Sequence, residues 1–358
     1  MRGLLAAALI AILGASPALA VGPTEMARAD RSLWPEPIGS EAGFDLASRA
    51  EILSFALALE GSAPPDVERA WRDAMAETLA ENFRRASAAC RPAEWLCDPR
   101  LTADALARKA ALVDDVPSGL TAWRENARAF HRVYAAELLR LAVLFPHPTS
   151  EVKTLSDREK TGLELPDRRF LLTFDDGPSR PGGSTDSLLE LLRRSGHSGV
   201  FYMLGERVEA RLGRESAGAL RARFEGQCVA SHGWTHRSHQ GLRTWQASVT
   251  DTDRLLRETF GPRHRSLFRP PYGQRKPDSG PFFAEQGLQV ALWNIDSQDW
   301  SASLDADEVE GRVLSLMLLW RRGVILFHDV HDKARLALPK LWEATRGSGI
   351  VWLDACVS

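Results

Sequence analysis

Phe170-Leu171-Leu172-Thr173-Phe174-Asp175-Asp176-Gly177-Pro178 is the stretch that decides how the rest of this chain folds. Residues 170–174 form an apolar run that predicts a buried strand. Gly177-Pro178 stops that strand and turns the chain, leaving two carboxylates side by side at its C-terminal tip. Adjacent carboxylates repel each other and resist desolvation unless something positive sits beside them. A metal ion is the usual counter-charge. A solvated Asp-Asp pair before a turn is the other reading, and residues 173–178 alone do not choose between them.

Downstream of this strand, short apolar runs alternate with helical segments. The runs are Leu171–Phe174, Gly199–Leu204, Cys228–Ser231, Ser266–Arg269, Val290–Asn294, Val324–Phe327 and Ile350–Leu353. Helical stretches such as Asp186–Ser195, Trp245–Thr259 and Asp305–Arg321 lie between them. Strand and helix in alternation predict parallel βα units. About seven strands in this length predict an α/β fold with barrel-like closure. No GxGxxG fingerprint or P-loop follows the first strand, which argues against an open dinucleotide sheet.

Upstream, residues 43–145 read as helical. Val67, Trp71, Met75, Leu79 and Phe83 recur every four residues, with Ala70 and Ala74 on the same face. A second stripe runs through Trp123, Ala127, Phe130, Tyr134, Leu138 and Leu141. Both are read as core packing, with His131 a satisfied or exposed helix histidine. Asp66 and Thr121 are suitable helix starts, and Pro146 with Pro148 closes the last helix. The first twenty residues have a secretory signal's pattern: Arg2, the apolar run Leu4 to Leu13, and Ala18-Leu19-Ala20 as cleavage site. The expected organisation is therefore a signal peptide over 1–20, a smaller all-α domain over 21–150, a polar connector over 151–168 and the α/β domain over 169–358. No later stretch qualifies as transmembrane. The mature protein is expected to begin near Val21 and to be secreted or periplasmic.

A net charge of −2 offers no polybasic surface for nucleic acid or anionic membrane. In an oxidising compartment the four cysteines read as disulfides before zinc ligands. Cys90 and Cys97 are spaced for a small-loop bridge; Cys228 and Cys356 can pair only if the fold brings them together.

Functional side chains of such folds gather at strand C-termini and in the loops that follow. The third run ends in Ser231-His232-Gly233-Trp234-Thr235-His236. Two imidazoles plus one carboxylate make a common three-ligand metal set with an open position, although a histidine pair in a loop is structural as often as not. His239, close by, reads as surface. The fourth run ends in Arg269-Pro270-Pro271-Tyr272-Gly273, where Arg269 offers a permanent cation for a carboxylate. Asp296-Ser297-Gln298-Asp299-Trp300 follows the fifth. The sixth ends in Leu326-Phe327-His328-Asp329, with His328 suited to general acid chemistry and Asp299 to orienting it.

Taken together, TFDDGP, HxxxH, RPPY, DxxDW and LxH in this order resemble the NodB-type polysaccharide deacetylases, carbohydrate esterase family 4. The resemblance covers residues 169 to about 355 and implies a distorted (β/α)7-type barrel. It implies that Asp176, His232 and His236 bind a divalent metal, usually zinc, and that Asp175 is the general base. It further implies that Arg269 tunes Asp175, that the Tyr272 backbone N–H contributes to the oxyanion site, and that His328 is the general acid oriented by Asp299. Trp300 and Leu326 would line the groove for the acetyl methyl. Two departures, the Gly after His232 and the strand Val200-Phe201-Tyr202-Met203, touch no implied catalytic position. The expected activity is removal of N-acetyl groups from an amino-sugar polymer, peptidoglycan or an exopolysaccharide. The alternatives are a deacetylase or amidase acting on another acetylated carbohydrate or small molecule, and a carbohydrate-binding protein without catalysis.

Overall fold

The strand expected over 170–174 runs from Arg169 to Asp175 in the computed structural model of the chain, which describes Pro23 and residues 25–62, 67–115 and 117–356. The signal segment 1–20 and the helix start at Asp66 lie outside the described residues. In chain order the elements are α1 (Glu41–Ser62), α2 (Arg69–Ala86), α3 (Ala103–Ala110) and α4 (Thr121–Leu144), then β1 (Glu159–Lys160), β2 (Arg169–Asp175), α5 (Ser184–Ser195), β3 (Val200–Met203), α6 (Gly205–Leu212), α7 (Ala217–Arg223) and β4 (Cys228–Ser231). They continue as α8 (Trp245–Phe260), β5 (His264–Phe268), α9 (Gly280–Glu285), β6 (Gln289–Ala291), β7 (Ile295–Asp296), α10 (Ala306–Trp320), β8 (Gly323–His328), α11 (Asp332–Ala344) and β9 (Val351–Trp352).

All strand pairs are parallel, in the order β1-β6-β5-β4-β3-β2-β8-β7, with β9 on β2. This is the distorted (β/α)7-type barrel expected, with an α-helical region before it. Its seam lies between β1–β6 and β7–β8, and side chains bridge it. Asn294 accepts from Val324 N (3.0 Å) and donates to Arg322 O (3.0 Å), while Arg322 donates to Leu163 O (2.7 Å). The close approach requires glycine at 162, where φ is +99° and a Cβ would lie 2.3 Å from Val324 N.

Strand period places the side chains on two faces. On β2, Phe170, Leu172 and Phe174 join the large core beneath the helices; on β8, Ile325 and Phe327 do the same. The opposite parity, Leu171, Thr173 and Asp175 on β2 with Val324, Leu326 and His328 on β8, is left for the barrel interior. Asp175 and His328 are register partners, so a carboxylate and an imidazole stand about 4.8 Å apart at backbone level on neighbouring strands.

The helices pack on the barrel through α10. This helix starts with an Asp305–Glu308 capping box and is buried on nearly every side from Val309 to Trp320. Phe44, Leu53 and Phe55 of α1, Trp123 and Phe130 of α4, and Val313, Met317 and Leu318 of α10 belong to one core. Asn82 donates to the carbonyls of Leu319 (3.3 Å) and Trp320 (3.2 Å), and Trp320 Nε1 donates to Tyr134 Oη (3.0 Å).

Several expectations change in detail. The connector over 151–168 contains β1, paired with β6; two residues between polar neighbours give no period to read. Of the run Val290–Asn294 only Val290 and Ala291 are in a strand, β6; Leu292–Asn294 link it to β7, and Asn294 bridges the seam. Val67 precedes α2, although it joins the apolar cluster of Trp71, Leu139 and Ala142. His131 is buried rather than exposed, with Nε2 2.6 Å from Glu51 Oε2 and Nδ1 without a hydrogen-bond partner.

Two disulfides form, Cys90–Cys97 and Cys228–Cys356. The second spans 128 residues and ties the chain's end to the start of β4. Constraint of the unfolded chain grows with loop length, so Cys356→Ser is expected to lower the unfolding free energy by about 2–4 kcal/mol. Denaturant midpoints with and without the substitution check this, and an unchanged midpoint would show that the tie contributes nothing.

Candidate metal centre and active site

Asp175 is the last residue of β2, and the chain leaves the strand through Asp176 at φ +79°. That left-handed conformation is rare for a residue with a side chain and is over-determined here. Asp176 N donates to Tyr202 O (3.2 Å) and Leu204 N to Gly177 O (3.0 Å), clamping the turn to the end of β3. A Cβ on Gly177 would fall 1.9 Å from Asp329 Oδ2, so the turn closes only with glycine.

The two acids separate at this turn. Asp176 Oδ1 lies 3.5 Å from His232 Nε2 and 3.4 Å from His236 Nε2, and one donor atom from each residue falls within a 4.8 Å group. Asp176 Oδ1 is buried and lacks a hydrogen-bond donor, an arrangement that is costly without a cation. Nδ1–H of His232 donates to Arg269 O (2.7 Å), which leaves Nε2 with its lone pair toward Asp176. His236 Nδ1 lies 3.1 Å from Tyr272 Oη. Burial holds His232 well below, and His236 below, the usual imidazole range, so both favour the neutral form that ligates metal. The donor set fits a divalent cation with open positions.

Asp175 lies beside the same imidazole but is anchored by an arginine. Its Oδ1 accepts from Arg269 Nη1 (2.8 Å), and Oδ2 lies 3.7 Å from His232 Nε2. Burial raises its pKa, and the Arg269 cation opposes that shift. Arg269 is fully buried and held by Thr173 Oγ1 (2.8 Å), Ala291 O (3.1 Å) and Leu292 O (3.2 Å), with its guanidinium 4.0 Å over the Tyr202 ring.

His328 completes the opposite wall. Asp299, buried at the end of the loop after β7, accepts from His328 Nδ1 through Oδ1 (2.7 Å) and from His328 N through Oδ2 (2.9 Å). Burial disfavours the imidazolium, but the Asp299 carboxylate and its hydrogen bond outweigh it and raise the pKa to about 10. Tyr272 sits at φ +61°, and its ring meets His236 edge-on at 4.5 Å.

One cavity of about 830 Å³ connects these groups. Asp175, Asp176, His232, His236, Tyr272 and His328 line it, as do Trp300 and Leu326, while Arg269 and Asp299 stand behind the wall. All ten residues singled out in the sequence thus converge on one place.

His239 is a correction. It is buried, lies 3.0 Å from Ser248 Oγ and packs under Gly233, because α8 folds over the Ser231–His236 loop. The wall of the cavity formed by Trp71 and Met75 of α2 and Tyr134 and Leu138 of α4 was legible only as apolar stripes. Arg275 was also missed. Buried at the end of the Tyr272 loop, it pairs with Glu159 of β1 and donates to the carbonyls of Ser150 (2.6 Å), Lys153 (2.9 Å) and Gly273 (2.9 Å), binding connector to loop.

Residues 162–291 match the polysaccharide deacetylase family model. The chain is 29% identical over 174 residues to the peptidoglycan-N-acetylglucosamine deacetylase PgdA of Listeria monocytogenes, covering 48% of this chain and 34% of that protein. It is 31% identical over 167 residues to chitin deacetylase 2 of Saccharomyces cerevisiae, covering 45% and 50% respectively. A solved family 4 carbohydrate esterase from Streptomyces lividans, in complex with acetate, shares 30% identity over 51% of this chain and 91% of its own, with a TM-score of 0.45. The chain belongs to the NodB-type polysaccharide deacetylases of carbohydrate esterase family 4. It spans a third to a half of the length of the two curated relatives.

Proposed function

We propose that this protein is a divalent-metal hydrolase that removes N-acetyl groups from an exported amino-sugar polymer, peptidoglycan or an exopolysaccharide. The observation that carries this reading is the pairing of Asp175 with His328 across β2 and β8, beside the Asp176–His232–His236 group. The names borne by the Listeria and yeast relatives support the substrate class. Two disulfides among the described residues and the signal-like start support export. No helix among the described residues is long and apolar enough to cross a membrane.

An amide needs a strong nucleophile, a stabilised oxyanion and a protonated leaving group. Asp176, His232 and His236 would hold the cation, most simply zinc; when bound it acidifies water and polarises the carbonyl. Asp175, whose burial raises its pKa while Arg269 favours its carboxylate, takes the proton of the attacking water. The backbone N–H of Tyr272 steadies the oxyanion. His328, kept charged by Asp299, gives its proton to the departing nitrogen. Trp300 and Leu326 contact the acyl group.

The acid role predicts a pH effect. Imidazolium is the active form and its pKa is raised, so kcat holds as pH rises and falls through the folded pKa, about 10 before a nearby cation lowers it. Asp299→Asn removes the raising charge and is expected to move this alkaline limb to lower pH. An unmoved limb in the pH–kcat profile would count against the pairing. The activity itself is tested with N-acetylated oligosaccharides and peptidoglycan fragments, with and without chelator, read by mass spectrometry. Loss of the mass of each acetyl group with added zinc is the expected result; no loss under any added metal would overturn the proposal.

A further inference from the structure

The cavity does not end at the catalytic groups. Leu326, which lies below His328 on the same face of β8, and Trp293 and Leu163 beside the barrel seam line the same cavity. So do Trp71 and Met75 of α2, Tyr134 and Leu138 of α4 and Trp320 of α10, which gives the cavity an apolar arm between the barrel and the helical region. Two small apolar clusters border this arm, Trp293–Val324–Leu326 on the barrel side and Val67–Trp71–Leu139–Ala142 on the helical side. Trp71, Tyr134, Trp293, Trp320 and Leu326 are each at least nine-tenths buried, while Met75, Leu138 and Leu163 are partly buried.

The charged groups do not make it a polar pocket. Glu68 is exposed at the rim and pairs with Lys153 (2.7 Å), and Glu137 pairs with Arg140 (2.7 Å). Burial pushes the Glu151 carboxyl up to about 8 and raises that of Asp296, whose carbonyl accepts from the buried Arg312 (2.8 Å).

Chemistry sets what can enter. The nitrogen that His328 would protonate carries the sugar, and a polymer must keep to the open side. Only the acyl substituent of the carbonyl carbon can point inward. An acetyl methyl needs little space, whereas about 830 Å³ is the size of pocket that buries a whole drug-sized ligand. Resting on the N-deacetylase reading above, we infer that the seam arm is an acyl-chain subsite, so that beside acetyl the site accepts, and turns over faster, amino sugars N-acylated by a longer apolar chain.

The test uses the full chain loaded with zinc and a series of chitooligosaccharides bearing N-acetyl, N-butanoyl, N-hexanoyl or N-octanoyl groups, with released acid measured by mass spectrometry. Each buried methylene is expected to contribute about threefold, so kcat/KM should rise at least about tenfold from acetyl to hexanoyl, mostly through KM. Met75→Trp and Leu138→Trp fill the arm and are expected to lower the hexanoyl-to-acetyl ratio of kcat/KM by about tenfold. That ratio is insensitive to the fraction of protein folded. A steady fall in kcat/KM beyond acetyl, with acetyl itself removed, overturns the subsite and leaves the deacetylase reading intact. A rise with length that neither tryptophan variant alters also overturns it. Failure of every member of the series under any metal overturns both.

Discussion

Asp175→Asn is expected to retain the fold and the metal while losing about a hundredfold to ten-thousandfold in kcat, the usual worth of a positioned general base. The amide has the same shape and its oxygen can still accept from Arg269 Nη1, so the geometry at the end of β2 survives. What it lacks is basicity. Arg269 keeps its bonds to Thr173, Ala291 and Leu292, which limits the cost of removing its anionic partner, although a buried cation without its counter-charge lowers stability as well. Metal content per chain, a thermal melt and kcat should therefore be measured together. Retained turnover in a folded, metal-loaded variant would remove Asp175 from the base role.

His232→Ala is expected to have the opposite signature, with metal lost first and turnover falling to background. Nε2 of His232 is one of three candidate ligand atoms, with Asp176 Oδ1 and His236 Nε2, and its ring is already aligned by the bond from Nδ1 to Arg269 O. Removing an outer partner of a ligand typically costs about 10–100-fold in metal affinity, and removing the ligand should exceed that. Chelation of the unaltered chain is expected to abolish turnover reversibly, with zinc restoring it, whereas excess zinc should rescue the variant poorly. Metal titration followed by calorimetry, alongside rate measurements, separates the cases. A variant that binds zinc with unchanged affinity would show that Asp176, His232 and His236 are not a ligand set.

These two outcomes would divide the Asp175-Asp176 pair into a base and a ligand, and such a division would follow from backbone geometry. Both residues have the same side chain. Asp175 remains in the strand and faces the barrel interior; Asp176, at positive φ, is swung toward the two imidazoles. The sequence placed the pair at a strand end, and the resemblance implied which did what. The φ that separates them comes from clamping to β3 and from the absence of a Cβ at Gly177.

Much of the barrel was legible because its strands are continuous apolar runs between turn residues. Cys228–Ser231 was bounded correctly, and the runs at 171–174 and 324–327 were each short by a residue or more at their ends. β1 left no trace, since a two-residue edge strand has no period. His239 was misread because polarity suggests exposure when the covering helix, α8, is not yet in place.

By itself the amino-acid sequence determined the residue types at each strand end and their order along the chain, since period and turn chemistry are local. Only the tertiary structure decided that β2 and β8 are neighbours in register, that Cys228 meets Cys356, and that α2 and α4 cover the open seam. Those facts depend on contacts between segments far apart in the chain. An apolar stripe states that a face must be buried but not against what, so the stripe of Trp71 and Met75 could not announce that it walls the active-site cavity.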